Sequence, residues 1–85
     1  MASLYEINLK REILREKSAE ILADYDKYLD ENNISYESLN PIRVLEKIIS
    51  EIYRNIFKPE YENIEKLNEA NTKLDLALEV LKKLS

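Results

Sequence analysis

Apolar or small side chains at Leu4, Ile7, Leu14, Ser18, Ile21, Tyr25 and Tyr28 are spaced so that they stay on one face of an α-helix. Leu22 and Leu29 widen that stripe in its second half. Ser3-Leu4-Tyr5-Glu6 fits the S-x-x-E capping box, and Glu6 precedes Lys10 in the favourable i, i+4 order. The pattern predicts a first helix over about residues 4–30. It fades at Asp30-Glu31-Asn32-Asn33, where asparagine can adopt the left-handed conformation that glycine usually supplies. Residues 32–40 read as a connection in which Ile34, Tyr36 and Leu39 fold back over the end of that helix.

Asn40-Pro41 is a start signal, an N-cap followed by proline at the first helical position, with Leu39 and Val44 placed to form a hydrophobic staple. The second helix, over about 41–57, is unusually apolar. At 100° per residue, Ile42, Val44, Leu45, Ile48, Ile49, Ile52, Tyr53, Ile56 and Phe57 cover an arc of about 220°. An ordinary surface helix carries a stripe only somewhat over ~100° wide, so this one needs cover on more than one side. A third helix is expected from Pro59 to about 84, with Glu60 and Glu62 in its first turn. Its seam, Ile64, Leu67, Asn71, Leu74, Leu78 and Leu81, steps alternately three and four, with the polar Asn71 placed to fix register. Leu76 and Val80 fall on the opposite face.

The chain has 85 residues, no glycine, and prolines only at those two helix starts. Together these features predict one all-α domain over 1–85, a three-helix bundle of two long helices and a shorter apolar central one, completed by a partner or by dimerisation. At 1.5 Å per residue the long pair runs about 40 Å and the central helix about 25 Å, which leaves an overhang. Either the 32–40 connection covers it, or it is a binding surface.

Composition then removes several functions. Cysteine is absent, which excludes disulfides and thiolate metal sites, and histidine is absent, which removes the commonest metal ligand and general base. The usual nucleophile–base pairs therefore cannot be built, and the chain reads as not an enzyme, with no cofactor, metal or small-molecule ligand. Asp24, Asp26, Asp30 and Asn32 resemble a calcium loop only superficially, because Leu29 stands where such a loop needs glycine and Ser35 where it needs glutamate. No apolar run approaches the roughly 20 residues that span a bilayer, and the N-terminus lacks the features of a signal peptide, so a cytoplasmic protein is expected. The net charge of −4 argues against duplex nucleic acid as the main ligand.

Arg43, Lys47, Arg54 and Lys58 nevertheless fall within about 60° of one another on the second helix. They form either a basic stripe for an acidic partner or phosphate backbone, or a solvated face balancing acidic neighbours. The lack of interleaved aromatics favours the second. A protein partner is expected on Ile49, Tyr53, Ile56 and Phe57, with Leu76, Val80 and Leu84 as a further strip. Self-association through the same surface is the structural alternative.

The abundance of Ile, Lys, Glu and Tyr, the single Met and the missing Cys resemble small proteins of heat-loving crenarchaea. In length and three-helix layout the chain resembles the small accessory subunit of the Sulfolobus-type replicative family-B DNA polymerase. That resemblance implies a non-catalytic subunit of an archaeal polymerase holoenzyme, acting in DNA replication, and carries over no functional residue. Leu39-Asn40-Pro41-Ile42-Arg43-Val44-Leu45 before an apolar helix is also similar to the middle of the helical immunity proteins against class IIa bacteriocins.

Overall fold

In the computed structural model, which describes residues 3–84, the Ser3 hydroxyl accepts the Glu6 backbone N–H at 3.1 Å and opens α1 (Leu4–Glu31). Met1, Ala2 and Ser85, included in the expected domain, lie outside the described residues. The helix ends in a Schellman arrangement. Asn33 takes φ 55°, the Asn33 N–H donates to Asp30 O, and the Ile34 N–H donates to Leu29 O. Asparagine thus does here what glycine does in other chains, and Ile34 packs against the core as expected. Tyr36 and Leu39 do not fold back. Leu39 is 92% exposed, so no staple forms with Val44, and the Asn40 side chain alone caps the next helix by accepting the Ile42 N–H at 2.9 Å.

The central helix α2 (Pro41–Asn55) buries Ile42, Ile49 and Ile52, with Ile56 as its C-cap, while Leu45 and Tyr53 are half-buried. Val44, Ile48 and Phe57 remain exposed, so the wide apolar arc is only partly covered within the chain. The last helix departs from expectation. Pro59–Tyr61 forms one 3-10 turn, the backbone leaves helical geometry at Glu62, and α3 (Ile64–Leu84) starts afresh. Its restart is local chemistry: Asn63 Oδ1 accepts the Glu65 N–H at 2.8 Å. Glu65, rather than Glu60 or Glu62, occupies the first turn. The seam is rotated too, for Leu67, Ala70, Leu74, Ala77 and Leu81 are buried whereas Ile64, Asn71 and Leu78 stand half-buried at its edge. Small side chains at 70 and 77 let close-packed helices approach, and the Tyr25 hydroxyl reaches the Ala77 carbonyl at 2.5 Å. Asn71 works inside the chain: with Asp75 it accepts the Lys17 ammonium, at 2.8 and 2.5 Å, and so joins α3 to α1.

Among the described residues the three helices form an all-α bundle without strands. Two buried arginines close it. Arg43 donates to the carbonyls of Ile34 and Ser35 at 3.0 and 3.2 Å and pairs with Glu46 at 3.4 Å, tying the first connection to α2. Arg11, on α1, donates Nε to Ile56 O and Nη2 to Lys58 O, both at 2.7 Å, and so satisfies the carbonyls where α2 ends. That contact also sets the register. Arg11 is level with the end of α2, so residues 4–10 of α1 run past it by about 10 Å, and of these only Ile7 is part-buried.

Burial of Glu46, followed by the nearby Asp26 carboxyl on α1, raises the Glu46 pKa, while Arg43 opposes the rise. A carboxyl with a raised folded pKa contributes stability that is complete below its unfolded pKa and is lost as pH rises through the folded value. Stability is therefore expected to fall as pH climbs from just below the ordinary glutamate value through the raised one. Thermal melts of wild type and Glu46→Gln across that window should differ by this slope, and parallel curves would contradict it. Arg11→Leu leaves the Ile56 carbonyl without its donor and should lower unfolding stability by about 2–3 kcal/mol in urea titrations. Wild-type stability in that variant would refute the capping role.

Candidate docking face

The outer side of α1 carries a second, shorter apolar stripe. At 100° per residue, Tyr5, Leu9 and Ile13 lie away from the face that buries Leu14, Ser18, Ile21 and Tyr25. Their exposures are 76%, 45% and 56%. Leu4 is exposed as well. Scattered surface apolar residues are common, but these three stand at i, i+4 and i+8, with Tyr5 and Leu9 on the overhang and Ile13 one turn further along. The 4–28 stripe read from the sequence left out Leu9 and Ile13. Their own four-residue spacing was the signal that could have found them.

Two depressions flank the stripe. Between α1 and α2 runs an open furrow of about 470 Å³, lined by Glu12, Arg15, Glu16, Ala19, Tyr53 and Phe57. Between α1 and α3 lies a smaller one of about 190 Å³, where Ile13, Leu14 and Leu67 meet Lys10, Asn68 and Asn71. Electrostatically the furrow side is acidic. Glu12 and Glu16 are exposed, stand one turn apart on the same face, and have no ion-pair partner among the described residues. The cation between them in sequence, Arg15, is placed elsewhere: its guanidinium carbon lies 5.3 Å from the Tyr53 ring centroid and 5.8 Å from that of Phe57. Phe57 is itself held beside Arg11, whose guanidinium carbon is 5.5 Å from the ring. Among the described residues no three Asp or Glu side chains gather to hold a metal ion.

The residues expected to meet a partner divide. Ile49 and Ile56 are 1% and 0% exposed and belong to the core, so in this fold they offer no docking surface. The arc of α2 turns these two inward against α1 and α3. Tyr53 and Phe57 line the furrow. Leu76 and Leu84 are exposed and Val80 is half-buried on α3, outside the furrow. The basic stripe is broken at its first member, because Arg43 is buried and spent on the carbonyls of Ile34 and Ser35 in the connection before α2. Lys47 lies over the Tyr36 ring at 5.4 Å, Arg54 bonds back to Ser50 O of its own helix, and Lys58 is exposed beyond α2.

The sequence model of the bacterial epsilon antitoxin family matches residues 3–84. Neither a curated protein nor a solved structure matches the chain. The family match overturns the expected kinship with the accessory subunit of an archaeal DNA polymerase, and with it the roles in DNA replication and in a polymerase holoenzyme. It equally displaces the likeness to bacteriocin immunity proteins. The first resemblance rested on length, helix layout and composition, and the second on one seven-residue segment before an apolar helix, neither of which is a diagnostic motif.

Proposed function

Because the chain belongs to the bacterial epsilon antitoxin family, we propose that it neutralises a zeta-type toxin by binding it through the outer face of α1. The family is non-enzymatic, in agreement with the reading from the missing histidine and cysteine. Among the described residues no helix is long and apolar enough to cross a membrane. The observation that carries the reading is the exposed stripe Tyr5, Leu9 and Ile13, which starts on the segment that overhangs the bundle and continues down the outer face of α1. Fully burying a side chain of this size is favourable by about 1.5–3 kcal/mol. Three such anchors offset part of the cost of association. The carboxylates of Glu12 and Glu16 beside them favour a toxin surface with cations at the matching positions, since charge complementarity steers the encounter and selects the partner. Tyr53 and Phe57 form the far wall of the furrow beside these carboxylates.

Calorimetric titration of a purified zeta toxin into variants of this protein tests the assignment. Leu9→Asp and Ile13→Asp should each weaken binding by about 30-fold or more, the scale of an interface hot spot. Their circular dichroism and unfolding midpoints should stay near wild type, because neither residue is in the core. Leu76→Asp, on α3, should bind as wild type. Normal binding by both α1 variants, with loss in the α3 variant, would move the docking face to α3.

A further inference from the structure

On an isolated helix, Arg15 would be expected to pair with Glu12, which stands three residues before it on the same side. The fold prevents it. Tyr53 and Phe57, one turn apart at the end of α2, present two rings to the α1 side chain, and Arg15 lies over both. A guanidinium gains more from two ring faces than from an exposed ion pair, because cation–π contact is worth about 0.5–1 kcal/mol even where water has access, and a solvated salt bridge has a median near 0–1 kcal/mol. The two glutamates are left facing each other across one turn, a like-charge pair that mildly disfavours the free helix.

Resting on the proposed α1 docking face, we infer that Tyr53 and Phe57 act as positioning residues. They hold Arg15 away from Glu12 and Glu16, so that the missing cation is supplied by a lysine or arginine of the toxin. The chain keeps two carboxylates unneutralised until the partner arrives, and relief of their repulsion adds to the attraction. The arrangement also favours one class of surface. A toxin patch lacking a cation at that point would bury the pair uncompensated, which is costly.

The arrangement separates three roles that simple loss of binding would confuse. In Tyr53→Leu with Phe57→Leu, apolar bulk remains but the ring faces are gone, and Arg15 is free to turn onto the glutamates. Binding to a purified zeta toxin should then weaken about three- to tenfold, with a shallower dependence on salt. Adding Arg15→Gln removes the competing cation and should restore affinity to within about twofold of wild type, together with the steeper salt dependence. In the free protein, ring-current shifts of the Arg15 side-chain protons should be present in wild type and absent in the double variant. Failure of Arg15→Gln to rescue would show that the rings touch the toxin directly, and would overturn the inference. So would a loss of affinity in Arg15→Gln alone, or the absence of ring-current shifts in wild type. If Leu9→Asp and Ile13→Asp bind normally, the docking face and this inference fall together. If they weaken binding and the rescue is missing, only the inference falls.

Discussion

The buried guanidinium of Arg11 holds the bundle in register. A chain without glycine has few ways to close a helix C-terminus, and the end of α2 uses a side chain from another helix instead. One planar group with several fixed donors reaches the carbonyls of Ile56 and Lys58 and leaves a nitrogen for Asn8 and Glu62. Burying that charge is tolerable only because its donors are satisfied. Arg43 does the corresponding work at the other turn, on the carbonyls of Ile34 and Ser35. The Arg11 contacts, 45 and 47 residues apart in sequence, also fix which turn of α1 faces the end of α2, something apolar packing alone leaves loose.

From that register the functional geometry follows. Level with Arg11, α2 stops, and α1 continues without cover. The overhang exposes Leu4, Tyr5 and Leu9, and Ile13 continues the stripe down the outer face. The same arginine stands beside Phe57, and Phe57 together with Tyr53 receives Arg15. The contact that closes the end of α2 thus also sets Phe57 in the furrow that Glu12 and Glu16 line. Family membership says that the protein is an antitoxin. The geometry leaves Tyr5, Leu9 and Ile13 exposed on the outer face of α1.

Much of the fold was legible in the residue pattern, because helical periodicity, Ser3, Asn40-Pro41 and the Asn32-Asn33 pair are local signals that local physics obeys. The third helix was misread where local signals conflict. Pro59 opens a helix in isolation, yet it yields one 3-10 turn before Asn63 caps a new start. The α3 seam was misplaced because leucines outrank alanines in a hydrophobicity count, whereas the bundle needs small residues at closest approach. On the site, the apolar weight of α2 drew Ile49 and Ile56 into a docking list when they make the core, and Leu9 and Ile13 passed unnoticed on a helix already credited with one stripe. Which of two apolar faces is buried depends on neighbours, and no single helix records that. The family was illegible for a related reason: length and composition are shared by unrelated bundles.

Hydrogen-exchange mapping of this protein alone and in complex with a purified zeta toxin reads the docking face directly. Amides in residues 5–16 of α1, which carry the exposed stripe, should be the ones most strongly slowed by the toxin, with lesser slowing near Tyr53 and Phe57 and little around Leu76. Unchanged exchange over residues 5–16 in a saturated complex, with protection appearing on α3 instead, would contradict the account.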